Sequence, residues 1–311
     1  MTHDAREQLP TDIEASIQAI RDDREHGASW LARAAAGVLL RLTEPRDDVA
    51  DDIWDAVVRM AAQELVEARP SMAAVANTAA RIWDAGRSAA TPTEARTQLR
   101  DMAERLAAQD EQTQLALRTY AEKMLLGNVY TMSRSGAVED VLRDLGQRRI
   151  IGRVIIGASV PGGEGVTMGR ALAQSGLDVT LVADTACGLF IGEASCVVLG
   201  ADSLRADGSL VNKVGSYPLA LVAREAGKPV YALCETLKIS APDFPLIIEE
   251  KDPAELLPDP VAGFRARNPY FDVTPAQLIS GYMTEQGVLD RETVARLAET
   301  AGVALARLRA G

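Results

Sequence analysis

The chain has 311 residues, a formal net charge of −11, three cysteines and two histidines. That length exceeds what one core usually serves and implies two domains, and the few cysteines behind the polar start MTHDAREQLPTD imply a cytoplasmic protein with neither a disulfide framework nor a secretory leader. The acidic balance argues against a nucleic-acid partner, the lack of an apolar run of about 20 residues against a membrane, and His3 and His26 alone against a histidine-rich metal site or a histidine-assisted nucleophile.

Residues 1–125 are rich in alanine, leucine and arginine, with apolar positions at helical spacing. Thr11 with Glu14 has the form of a capping box, and Thr91, Pro92 and Glu94 combine an N-cap, a first-turn proline and a third-position acid. Pro45, Pro70 and Pro92 divide this stretch into segments that suit a bundle of five or six helices.

Residues 126–311 change texture. The runs NVYTM, RVIIG, DVTLVA, SCVVLG, PVYALC and PLIIE read as buried strands, and the stretches between them have helical periodicity. The expected fold is therefore α/β, an N-terminal helical bundle followed by a doubly wound, mostly parallel Rossmann-like sheet. Such sheets bind ligands at the carboxyl ends of their strands, which places the site in four loops.

The first loop holds Ser133, Arg134, Ser135 and Gly136 before a helix. Its hydroxyls and amides suit an oxyanion, with Arg134 as a fork for phosphate, and equally suit ordinary capping. The second, ASVPGGEGVTMG, sets Gly162, Gly163 and Gly165 between strand and helix, where backbone amides can approach a phosphate or simply turn the chain. The spacing matches neither a dinucleotide fingerprint nor a P-loop, so no cofactor is expected. The third loop puts Cys187 at a helix start, where a thiol gains acidity; the alternative is a small buried hydrophobe. The fourth, GADSLRADGSLVNKVGSY, runs from an apolar strand into Asp202, a candidate acid–base group, and offers Asn212 and Lys213, with Asp207 and Gly208 as turn formers. The partner implied is a phosphorylated small molecule, a sugar phosphate or a nucleotide.

The segments SRSGAVEDVL, VTLVADTACG, VVLGADSLRADGSLVNKVGSYPLALVAREAGKPVYAL, CETLKIS and NPYFDVTP, with HGASWLARAAAGVLL in the helical half, carry a resemblance. The chain resembles the family that unites sugar-1-phosphate isomerases, acting on methylthioribose 1-phosphate or ribose 1,5-bisphosphate, with the alpha, beta and delta subunits of translation initiation factor 2B. The resemblance implies a catalytic cysteine and a catalytic aspartate. Asp202 matches the aspartate, whereas Ser133 stands at the cysteine's position, and His26 and Val160 stand where the isomerases place arginines. Gly27, Ala28, Asn212 and Lys213 match the family's ligand shell. The resemblance also implies a homodimer or a higher homo-oligomer. Two functions follow: an aldose–ketose isomerase with Asp202 as acid–base group and Cys187 as a replacement thiol, or a non-catalytic regulatory or ligand-sensing homologue.

Overall fold

The computed structural model describes residues 9–23, 26–108 and 110–310. The chain forms two compact units, which a single cut at residue 125 does not separate. The first takes residues up to Glu111, Leu237–Pro245 and the chain from Arg296 on; the second takes Gln112–Thr236 and Leu246–Ala295.

The first unit is helical: α1 (Thr11–Asp22), α2 (Ala28–Arg41), α3 (Trp54–Ala68), α4 (Ala73–Ala85) and α5 (Pro92–Ala108). Each buries a stripe at helical spacing, such as Ile13, Ile17 and Ile20 on α1 or Leu31, Ala35, Val38 and Leu39 on α2. The expected boundary moves because the core is completed from far along the chain. Ala241, Phe244, Ala304, Leu305 and Leu308 lie buried in the same apolar cluster, and Asn77 Nδ2 donates to the carbonyls of Leu237 and Ile239, both at 2.7 Å. The cap at Thr91 forms, with Glu94 N–H donating to its Oγ1 at 3.2 Å and Glu94 Oε2 accepting from Ala90 N–H at 2.9 Å. Thr11 instead lies inside α1, whose N-cap is Pro10 and has no side-chain bond.

The second unit adds α6 (Asp110–Ala121) and then alternates: β1 (Gly127–Met132), α7 (Gly136–Gln147), β2 (Ile151–Gly157), α8 (Glu164–Gln174), β3 (Val179–Val182), the one-turn α9 (Cys187–Phe190), β4 (Cys196–Leu199), β5 (Ser203–Leu204), β6 (Leu210–Lys213), α10 (Ser216–Glu225), β7 (Val230–Leu233), β8 (Phe271–Thr274), β9 (Gly281–Thr284), β10 (Gly287–Leu289) and α11 (Arg291–Ala310), whose last part belongs to the first unit. The main sheet has the order β10-β9-β7-β4-β1-β2-β3 and is parallel except for β10. Its central strand β4 is a continuous apolar run, buried throughout, and the last four residues of β1 are buried as well, as a sheet covered on both faces requires.

Two expectations change. PLIIE is not a strand: Leu246 and Ile247 are 45% and 42% exposed and pair with no neighbour in either sheet. The fourth loop in turn folds into part of a second, antiparallel sheet of order β5-β6-β8, with Asn212 opposite Asp272 and Lys213 opposite Phe271. Its tight turn forms at Asp207 and Gly208, where Asp207 Oδ1 accepts from Ser209 N–H at 2.8 Å and Gly208 has φ 81°. Among the described residues, no helix is long and apolar enough to cross a membrane.

Candidate active site

At the carboxyl ends of β1 to β4 the loops are tied together by short hydrogen bonds. Asp184, just after β3, accepts the N–H groups of Ser159 and Val160 on Oδ1 and Oδ2, both at 2.8 Å. Ser159 is 1% exposed, and its Oγ accepts the N–H of Ser133 at 2.7 Å. Ser133 and Ser159 both hold left-handed backbone, φ 59° and 60°, which costs a non-glycine residue about 1 kcal/mol or more and persists only where such bonds enforce it. The fourth loop closes on the first at Gly200, where a Cβ would stand 2.6 Å from Ser135 Cβ. Glycine is therefore the residue that lets the aspartate segment approach.

Ser135 acts as the N-cap of α7, its Oγ accepting from Val138 N–H at 3.5 Å. Arg134 is exposed, with Nε 3.5 Å from Glu139 Oε2. The amide of Gly163 is not available for a phosphate as expected, because it donates to the Ser159 carbonyl at 2.8 Å within its own loop. Asn212 is buried and donates from Nδ2 to Ser216 Oγ at 2.8 Å.

Lys213 carries the strongest electrostatics here. Its side chain is 4% exposed, its Nζ lies 2.8 Å from Glu164 Oε1, and the ammonium sits over the Tyr270 ring, 3.7 Å from the centroid. Tyr270 Oη also donates to Glu164 Oε1. Burial pushes the Glu164 carboxyl up, but the bonds from Lys213 and Tyr270 outweigh it and hold the group below its ordinary range. Tyr270 is driven upward by burial, by its bond to Glu164 and by the negative charges of Glu164, Asp202 and Glu255. Asp202 thus lies within electrostatic reach of Tyr270; its N–H donates to Val211 O at 3.0 Å, which fixes the turn into β5. A second ammonium, Lys251 Nζ, stands 4.3 Å from the same ring centroid.

Asp272 completes the frame. Its Oδ2 accepts from Gly215 N–H at 2.8 Å and Tyr217 N–H at 3.1 Å, so a carboxylate from β8 caps α10 immediately after Lys213. Burial raises its pKa to about 6 against the pull of those bonds. Glu164, Tyr270, Lys251 and Asp272 were all missed as site residues from sequence. Glu164 lies in GGEG, where the glycines carry the turn signal, and Tyr270 and Asp272 lie in NPYFDVTP, far along the chain from the loops they meet.

Cys187 opens α9, as expected, but that helix is too short to acidify a thiol through its dipole. α9 is a single turn between 3-10 turns at Asp184–Ala186 and Ile191–Glu193, and so short a helix sums few peptide dipoles. Cys187 is partly exposed and within electrostatic reach of the buried Tyr130, whereas Cys196 and Cys234 are buried and burial pushes the Cys196 thiol up to about 11. In the first unit, Gly27 is the N-cap of α2 and Ala28 opens it, 1% exposed. His26 places Nδ1 2.7 Å from Asp23 Oδ2 and stacks on Trp30 at 3.8 Å, and Val160, in the second unit, is 65% exposed.

A sequence model described as the initiation factor 2 subunit family matches residues 24–291. The chain belongs to that family. Ribose 1,5-bisphosphate isomerase of Archaeoglobus fulgidus is 31% identical over 284 residues, 89% of each chain. The crystal structure of the translation initiation factor eIF-2B of Pyrococcus horikoshii superposes with a TM-score of 0.75 at 29% identity, covering 90% of this chain and 98% of that one. The 5-methylthioribose 1-phosphate isomerase of the same organism gives 0.72 at 25% identity, covering 93% and 87%. Relatives of this family member thus include sugar-phosphate isomerases and initiation-factor subunits, and the α/β fold with N-terminal helices is common to them.

Proposed function

We propose that the chain binds a phosphorylated sugar at the strand-end loops of its second unit and interconverts the aldose and ketose forms of a sugar 1-phosphate. The observation that carries this reading is the buried Lys213, held by Glu164 and Tyr270, with Asp202 in electrostatic reach of the same tyrosine. A cation for the phosphate and a strand-end carboxylate are the two groups such chemistry needs: the lysine takes the phosphate in exchange for Glu164, and the carboxylate moves the proton between adjacent carbons. Asp202 is the acid–base group. The second proton carrier is Cys187, the one thiol of the three that is not buried. Ser133, an alcohol, is too weak an acid for that role unassisted.

Turnover of a panel of sugar 1-phosphates tests this. Asp202→Asn lowers the rate about 100-fold or more, the usual contribution of a positioned acid–base group, and Cys187→Ala impairs it strongly. Full activity in Cys187→Ala removes the thiol from the mechanism. Tight binding of sugar phosphates with no turnover of any of them supports the second reading, a ligand-sensing homologue, which Ser133 at the cysteine's position favours. We also propose self-association through the second unit, where α9 and α10 pack together and leave Leu189, Leu221 and Tyr217 exposed by 81%, 41% and 38%.

A further inference from the structure

Lys213 is not an open phosphate anchor, because Glu164 already occupies it. The carboxylate takes the ammonium at 2.8 Å, the Tyr270 ring covers another side of it at 3.7 Å, and only 4% of the lysine side chain is exposed. An anion that reaches Nζ must displace Glu164 or share the cation with it. The surrounding field does not help such an anion: around Tyr270 stand the ammonium groups of Lys213 and Lys251 against the carboxylates of Glu164, Asp202 and Glu255, two positive charges against three negative. Glu164 is also built into place. A Cβ on Gly162 would lie 2.5 Å from Glu164 Oε1 and 2.6 Å from Oε2, so the loop leaves a glycine where the carboxylate packs. Oε2 is buried and accepts no hydrogen bond, while Lys213 and Tyr270 both serve Oε1.

From this we infer that Glu164 is a specificity-determining residue: an internal counter-ion that holds off simple anions and admits a phosphorylated polyol, whose hydroxyls donate to the carboxylate as the phosphate takes the lysine. Inorganic phosphate brings charge without enough donors to satisfy a displaced carboxylate, whereas a sugar phosphate brings both, and an acceptor left without donors in a buried site is costly. The inference rests on the phosphate site proposed above. It adds the selectivity of that site, which does not depend on turnover.

Calorimetric titration of the full chain with inorganic phosphate and with ribose 5-phosphate tests it. Glu164→Gln keeps an oxygen for Tyr270 and Lys213 but removes the charge. It tightens inorganic phosphate about 10-fold or more, as expected when a like charge is removed from an anion site, and narrows the preference for ribose 5-phosphate by a similar factor. Glu164→Ser, which removes the charge with less bulk, gives the same sign and serves if the glutamine variant unfolds; melting curves confirm which variants are folded. Unchanged or weaker phosphate binding with the preference intact overturns the inference and leaves the site standing. Binding of neither probe to wild type or variants removes the site and the inference together.

Discussion

Lys213→Met tests the energetics on which the site depends. At 2.8 Å and an effective dielectric of about 20, the Lys213–Glu164 attraction is roughly 6 kcal/mol before desolvation is counted. Breaking a buried pair by removing one partner costs about 3–5 kcal/mol, because the other charge is stranded. Glu164 keeps 22% of its side chain exposed, so the lower end, about 3 kcal/mol, is the expected loss. The double variant Lys213→Met with Glu164→Gln removes both charges and returns to within about 1 kcal/mol of wild type. Trp30, Trp54 and Trp83, the only tryptophans, all lie in the first unit, so fluorescence does not report on this pair; urea unfolding must be followed by far-ultraviolet circular dichroism. The pH dependence reverses as well. In wild type the lowered Glu164 pKa adds stability above its unfolded value, lost as pH falls through the folded one. In Lys213→Met burial is opposed only by the bonds from Tyr270 and the glutamate's own backbone, the pKa rises, and stability falls as pH increases past the ordinary carboxylate range. A single variant as stable as wild type, or a double variant no better than the single, refutes the reasoning.

Three further outcomes are expected. The Asp272 carboxyl is raised from 3.8 to about 6, so its stabilising contribution is full below about 3.8 and is lost as pH rises through 6; Asp272→Asn flattens that loss, at most about 1.4 kcal/mol per pH unit, and identical slopes in urea midpoints between pH 4.5 and 6.5 would rule this out. Ser133→Cys folds normally and raises isomerase turnover if the missing thiol limits it; a folded variant with unchanged rates shows that it does not. Light scattering at micromolar concentration gives at least a dimer, and Leu189→Arg, which charges a side chain 81% exposed, weakens it; a strictly monomeric wild type rejects the proposed self-association.

The parts of the fold legible in the sequence were those with local causes. β2, β3, β4 and β7 are short stretches rich in valine, isoleucine and leucine, β1 is rich in β-branched and aromatic residues, and each forms where it reads, between helix-length stretches. PLIIE has the same composition and no partner strand, and composition cannot say whether a partner exists. β6 ends in Asn212 and Lys213, a weak strand signal, and takes its shape from β8 some 60 residues later. Distance along the chain also hid the core contributions of Phe244 and Leu305, the cap that Asp272 provides and the loop tie that Asp184 makes. The candidate site followed the same rule. Asp202 and Lys213 were readable from their place after an apolar strand, but Glu164, the lysine's ion-pair partner, lies 49 residues away from it.

The first loop separates geometry from chemistry. Its left-handed turn at Ser133 is held through a backbone N–H by Ser159 Oγ, and Ser159 is fixed in turn by the Asp184 carboxylate; the side chain at 133 takes no part in that chain of bonds. A cysteine or a serine is presented there by the same scaffold, so an exchange between them alters acidity without moving the loop. Lys213 repeats the pattern, positioned by Asp272 at the start of α10 and neutralised by Glu164 from α8. The architecture of this family member therefore sets the shape of the loops at which the phosphorylated ligand is proposed to bind and says nothing about whether it reacts. That depends on side chains which the supporting bonds leave free to differ: Ser133 and Val160, each on a loop whose shape is enforced from elsewhere.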